Sequence, residues 1–243
     1  MKRINSYLFY HGLWTALDWL FPPQCGGCGE LHSRWCAKCQ NVTLLIKPPI
    51  CERCGIPINH VGICQDCKEN EPHFTAVRSW AIYEGPLKEA LQRLKYQRDI
   101  GLGEVFAKPL INLIADNQWA IDMVVPVPLG IARYKERGYN QSTLIAFPIA
   151  LYFGYSFRPS AIRRTRETQS QVGLNLTERR RNVVGAFSAR SNIVEGKNVL
   201  LIDDIATSGS TMEACASALK IAGAYEVYGL TVARAVLNQP QSV

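Results

Sequence analysis

The sequence predicts an α/β protein, a parallel sheet flanked by helices, preceded by a small cysteine-rich, zinc-ribbon-like module. Three observations carry this. Eight of the nine cysteines form four C-x-x-C pairs between residues 25 and 67. After Pro72 strand-like and helix-like runs alternate, the pattern of strands joined by crossover helices. One run, NVLLIDD (198–204), is continuously apolar up to two acids, as a strand buried on both faces should be.

A chain of 243 residues holds one medium domain and a small module, with enough length to bury a proper core. We expect an N-terminal apolar helix over 1–22, a double zinc module over 23–72 and the α/β domain over 73–243. With 47% hydrophobic and 19% charged residues the composition is ordinary for a globular protein. A net charge of +7 and a pI near 9.0 favour an anionic partner such as phosphate or nucleic acid. A basic surface that is merely solvated would give the same excess.

The first element is SYLFYHGLWTALDWLF (6–21). It carries His11 and Asp18 and has no small-residue cleavage site, so it does not read as a signal peptide. It is shorter than the ~20 apolar residues of a spanning helix, so no transmembrane segment is expected. A helix packed on the body is the main expectation. A membrane-surface or partner helix, which would make the protein membrane-proximal, is the alternative.

The cysteine pairs follow as CGGC (25–28), CAKC (36–39), CERC (51–54) and CQDC (64–67). Two thiolates separated by two residues close a tight turn around one tetrahedral zinc, so two pairs complete a site. Gaps of seven residues between the first two pairs and nine between the last two suit short hairpins. They favour Cys25, Cys28, Cys36 and Cys39 for one zinc and Cys51, Cys54, Cys64 and Cys67 for the other. A cross-braced pairing stays open. All-cysteine sites leave no open coordination position, so both zinc ions are expected to be structural. Disulfides would need an oxidising compartment. A redox pair would need a strand-to-helix setting that CGGCGE and KPPICERCGIP do not offer. Cys215, alone in MEACASALKIAG, reads as a small buried hydrophobe.

In the body, 77–84 reads as a strand, 86–97 as an amphipathic helix and 102–117 as helical apart from Pro109. A strand over 122–128 stops at prolines, and a helix over 141–154 is expected to break or kink at Pro148. The strand 198–204, a helix over 210–224 and a strand over 225–234 complete the series. Ligands of such sheets sit at the carboxyl ends of the strands.

The segment after 198–204 lies at such an end. Thr207, Ser208, Ser210 and Thr211 offer hydroxyls, Gly209 lets backbone amides approach closely, and a helix starts near Ser210. These features make a phosphate cradle, although Ser and Thr at a helix start are often only caps. Asp203 and Asp204 beside it suit vicinal sugar hydroxyls, so the ligand chemistry reads as a ribose 5-phosphate unit. The lysine of a Walker loop is absent.

VLLIDDIATSGST (199–211) resembles the phosphoribosyl pyrophosphate (PRPP) loop of type I phosphoribosyltransferases. The resemblance implies a type I phosphoribosyltransferase-like sheet, with Asp203 and Asp204 on the ribose hydroxyls and Thr207, Ser208, Gly209, Ser210 and Thr211 on the 5-phosphate. The four cysteine pairs, LKY (94–96), PVPL (126–129), RYKERGYNQ (133–141), the arginine-rich stretch 163–187 and the PRPP loop occur in that order. Together, over roughly residues 20–235, they are similar to the ComF family. That implies a cytoplasmic role in DNA uptake and natural transformation, handling single-stranded DNA beside helicase or recombination proteins. A GntX-like use of DNA as a nutrient is the variant.

In PRPP chemistry pyrophosphate leaves ribose C1, and its growing charge calls for Mg²⁺ and cationic side chains. Arg163, Arg164 and Arg166 with Arg179, Arg180 and Arg181 suit a lid that closes on it, with Arg166 the catalytic candidate beside Asp203 and Asp204. The same run read plainly is a solvated loop. Arg133, Arg137 and Gly138, in a loop expected after the 122–128 strand, are pyrophosphate-side candidates with Arg163. Arg179, Arg180 and Arg181 are also nucleic-acid candidates, as are Trp35, Trp80 and Tyr96, which suit a core equally well. Lys95 reads as a helical surface charge with some reach toward the site. No general base is legible and the acceptor is not encoded, so enzymatic activity stays open.

Overall fold

The apolar run ending in the two acids becomes the middle strand of a five-stranded parallel sheet. The structure is a computed structural model that describes residues 2–166 and 185–235. Helix α1 (Lys2–Leu20) leads into the cysteine module, which contains the short helices α2 (Ala37–Val42) and α3 (Gln65–Glu69). Next come β1 (Ala76–Ile82), α4 (Gly85–Tyr96), α5 (Leu102–Asn117), β2 (Met123–Pro126), α6 (Ile131–Arg137), α7 (Gln141–Phe153) and β3 (Ser156–Phe157). An antiparallel pair, β4 (Ile162–Arg164) and β5 (Phe187–Ala189), precedes α8 (Ser191–Val194), β6 (Asn198–Ala206), α9 (Ser210–Ile221) and β7 (Glu226–Arg234). The strand order is β1-β7-β6-β2-β3.

Strand β6 shows why an unbroken apolar run was needed. Leu200 and Ile202 join the core beneath α4, α5 and α7, while Val199 and Leu201 join the core on the opposite face with Met212, Cys215 and Leu219 of α9. Side chains alternate faces along a strand, so both sets must be apolar when both faces are covered. Cys215 lies fully buried in that second layer.

Three sequence expectations are corrected, the first because α5 continues as a helix through Pro109. The stretch after β2 is not a loop: Ile131–Arg137 is a helix, ended by Gly138 at φ +82°. Its residues, IARYKER, are mostly good helix formers and the glycine accepts the left-handed cap. Helix α7 also runs unbroken through Pro148. The proline removes one N–H and so frees the carbonyl of Leu144. At that carbonyl α5 comes close, since a Cβ on Gly103 would lie 2.8 Å from it. Gly103 therefore lets the two helices meet.

Strand β2 leads to β3 on one side, whereas β6, on the other side of β2, leads to β7. The loops after β2 and β6 diverge over a crevice, the position where such sheets take ligands. At the far edge, β1 is covered by the cysteine module. Ile46 N donates to Trp80 O at 3.0 Å, Ile82 N to Leu44 O at 2.8 Å and Val77 N to Arg53 O at 2.7 Å.

Gly103→Ala should force α5 away from α7. Overpacking of this kind costs about 1–3 kcal/mol, which for a chain of this length lowers the melting temperature by several degrees. Thermal unfolding of the variant checks it, and an unchanged melting temperature would show that the helices are not in contact there.

Candidate functional site

Strand β6 delivers Asp203 and Asp204 to the crevice one after the other, pointing to opposite faces. Asp204 is buried and Asp203 half-buried. Asp203 Oδ1 accepts from Ser142 Oγ at 2.9 Å and from the Asp204 amide at 2.9 Å. Asp204 Oδ1 accepts from Gln141 Nε2 at 3.0 Å, and its Oδ2 forms an ion pair with Lys95 Nζ. Behind Gln141 stands Arg137, whose Nη1 donates to Gln141 Oε1 at 2.9 Å and whose guanidinium lies 4.9 Å from the centre of the Tyr96 ring. Gln141 and Ser142 are held in place because Asn140 caps α7, accepting from Ser142 N at 3.0 Å, and anchors itself to Val127 O at 2.9 Å.

The two carboxyls are shifted in opposite directions. Burial and the neighbouring Asp204 charge push the Asp203 carboxyl up to about 7. Burial alone would also raise Asp204, but the Lys95 ammonium and the Gln141 amide outweigh it and hold Asp204 below its ordinary value. Burial works against the charge on Lys95, yet Asp204 and Asp203 raise it above the usual lysine value.

Beyond the acids the chain turns. Gly209 adopts φ +78°, with open space where a Cβ would point, and α9 starts at Ser210. Ser208 Oγ lies 2.7 Å from Ser210 Oγ. The start of α9, the hydroxyl-bearing turn and an open glycine follow directly on a carboxylate, an arrangement that suits an anionic group joined to a polyhydroxyl unit. Glu213, in the first turn of α9, is held by His73, whose backbone N–H donates to its Oε2 at 3.1 Å.

Asp203 and Asp204 lie directly before the 207–211 turn, Arg137 of α6 reaches Asp204 through Gln141, and Gly138 is the exposed cap of that helix. Arg133 and Arg163 are exposed on α6 and β4, and Arg166 is exposed beyond β4. Among the described residues, the side-chain partners of the two carboxylates are Ser142, Gln141 and Lys95. Arg179, Arg180 and Arg181 lie outside the described residues. Lys95 is the residue that sequence reading undervalued: it is mostly buried against Asp204, not a surface charge. The signal was present in its position one residue after Leu94, at the end of the buried stripe of α4. Of the aromatic candidates, Trp80 belongs to the core, Trp35 packs against it, and Tyr96 is exposed beneath Arg137.

The cysteines form two separate quartets, Cys25–Cys28–Cys36–Cys39 and Cys51–Cys54–Cys64–Cys67, with the sulfurs of each within 4.8 Å of one another. Pairing is sequential, not cross-braced. Cys25 to Cys39 and Cys28 to Cys36 are 3.6 Å apart and Cys54 to Cys64 3.7 Å. Zinc–sulfur bonds of about 2.3 Å in a tetrahedron place sulfurs about 3.8 Å apart, so the quartets fit zinc. Backbone N–H groups of Cys36 and Cys64 point at Cys25 Sγ and Cys51 Sγ at 3.4 and 3.3 Å, as befits thiolates. Four thiolates around one dication keep a double negative charge, and Arg78 and the buried Arg234 stand beside the second quartet. Arg234 Nη2 donates to Cys54 O at 2.5 Å and Arg78 Nη1 to Glu52 O at 3.0 Å. Burial lowers the Arg234 pKa, and the neighbouring cysteine sulfurs, Cys54 first, only partly counter it.

Family comparison agrees with this geometry. A double zinc ribbon domain matches residues 16–68 and a phosphoribosyl transferase domain residues 102–237. The DNA utilization protein YhgH of Salmonella typhi is 32% identical over 184 residues, covering 73% of this chain and 81% of that protein. Competence protein F of Haemophilus influenzae is 28% identical over 222 residues, covering 87% and 97%. Competence protein ComFC of Bacillus subtilis is 29% identical over 219 residues, covering 85% and 82%. The chain belongs to the ComF family, in which a double zinc ribbon precedes a phosphoribosyltransferase domain.

Elemental analysis of protein purified without added metal should return two zinc ions per chain, and Cys64→Ala should remove one of them. A ratio near zero would reject the assignment. Lys95→Met should destabilise the fold by about 3–5 kcal/mol, because it leaves the Asp204 charge buried without its counter-ion. Adding Asp204→Asn should recover much of that loss. A double variant no more stable than the single would mean that the pair does not act as a unit.

Proposed function

We propose that this ComF-family protein works in the cytoplasm in DNA uptake, binding PRPP with Mg²⁺ in the crevice between β2 and β6 and handling incoming single-stranded DNA. The observation that carries the ligand is the half-buried Asp203 carboxylate beside the open Gly209 turn and the start of α9. The acid suits ribose hydroxyls, and the amides and hydroxyls of Thr207, Ser208, Gly209, Ser210 and Thr211 suit the 5-phosphate. Asp204, already engaged by Lys95 and Gln141, acts by holding those two side chains at the crevice. Mg²⁺ takes carboxylate and phosphate oxygens; Asp203 fits it, and the ion would neutralise the pyrophosphate. Arg137, Gly138, Arg133, Arg163 and Arg166 are proposed for the pyrophosphate side.

The nucleic-acid part rests on the net charge of +7 and on relatives named for competence and DNA utilization. Arg179, Arg180 and Arg181 are proposed to contact the strand, and a helicase or recombination protein is the proposed partner. A second reading, transfer of the phosphoribosyl group to a small acceptor with release of pyrophosphate, is supported by Asp203. A carboxyl pushed up to about 7 is suited to accepting a proton from the acceptor at neutral pH.

Calorimetry with PRPP and Mg²⁺ tests the first reading. An acid with a raised value is protonated at pH 6 and ionised at pH 8, so affinity should rise by about tenfold over that interval. Asp203→Asn should flatten the rise. Wild-type protein that gives no heat with PRPP and Mg²⁺ at either pH would leave the fold without this ligand. Labelled single-stranded DNA should bind in low salt and be released as salt is added, since binding frees counterions. Absent binding, or binding indifferent to salt, would reject the nucleic-acid part.

A further inference from the structure

Helix α1 is turned inside out relative to a surface helix of a water-soluble protein. Each residue advances about 100° around the axis, so Leu8, Trp19, Phe9, Leu20, Leu13 and Leu17 fall within about half of the circumference. All are exposed, Leu13 by 51%, Phe9 by 69% and Trp19 by 84%. The opposite half faces the protein. Tyr7 meets Tyr152 at 5.1 Å and Tyr10 meets Phe147 at 5.6 Å between ring centres, both on α7. His11 and Asp18, which alone could charge the helix between residues 6 and 20, both turn inward, to Glu104 and Arg34. A helix apolar all round is normally covered all round. An exposed apolar surface on this scale marks a contact site.

We propose that α1 is a membrane-contacting helix, lying in the plane of an anionic lipid surface with its outer half seated at the headgroup boundary. The breadth of the apolar arc selects this occupant. A partner helix covers a narrow seam, two positions in seven, and would leave much of the arc in water, whereas a planar interface covers half a cylinder. Charge agrees: none of the arc's residues is acidic, the sequence ahead of residue 6 carries Lys2 and Arg3, and the chain carries +7. Trp19 and Phe21, both mostly exposed, cluster at the other end, and Trp in particular favours the membrane–water boundary. Contact in the plane follows from the packing of α1 along α7, and no helix among the described residues is long and apolar enough to cross a membrane. None of this depends on what the crevice binds.

The test uses the full-length protein with vesicles of phosphatidylglycerol and phosphatidylcholine in equal parts, floated through a density gradient. Wild type should float with them, and less with phosphatidylcholine alone. Leu13→Glu with Leu17→Glu should lower the bound fraction roughly tenfold or more, with zinc content and melting temperature unchanged. A measurement that needs no charged variant is quenching of tryptophan emission by brominated lipid, expected in wild type and reduced in Trp19→Phe. Wild type that fails to float on anionic vesicles overturns the proposal. So does flotation that ignores the double substitution. A dimer in sedimentation equilibrium that the same substitutions dissolve, without vesicle binding, would assign the face to a second copy instead.

Discussion

A carboxylate at the end of a strand buried on both faces has to be neutralised on the spot, and Asp204 imposes that condition on its surroundings. An unpaired charge there would cost several kcal/mol. Lys95 meets it from the last turn of α4 and Gln141 from the first turn of α7, with Arg137 of α6 behind. Three helices that lead to different parts of the sheet are thereby fixed at one point. The side chains that line the crevice are in position before any ligand arrives, and preorganisation of this kind lowers the ordering cost of binding.

Much of this was legible in the chain. The strand 198–206 announced itself because a strand covered on both faces cannot alternate polar and apolar residues, and the quartets because thiols recur at metal-ligand spacing. What escaped reading depends on residues far apart in sequence. Helix α4 buries Leu87, Leu91 and Leu94, and periodicity places Lys95 at the margin of that stripe. Only the position of α4 over the end of β6 turns a marginal lysine inward. The pairing of His73 with Glu213 spans 140 residues and leaves no local signature. Helix α6 is only seven residues long, too short for its period to show.

The inward polar face of α1 escaped for the same reason. His11 and Asp18 look like surface residues until Glu104, from α5, and Arg34, from the first ribbon, are brought against them. Part-buried polar pairs at the middle and near the end of that helix, together with the Tyr7 and Tyr10 ring contacts on α7, fix which side is presented outward.

The seating of the ribbon module on β1 has a consequence for the chain's behaviour outside its native state. The outer rim of β1 is satisfied by Leu44–Ile46, between the two quartets, and by Arg53 inside the second. A ribbon emptied of metal would release those backbone groups and leave a bare strand rim, which readily templates pairing with another molecule. Metal supply during synthesis would then decide between a monodisperse protein and aggregate. In that case zinc held by the quartets would act as a solubility factor for a sheet that supplies it no ligand.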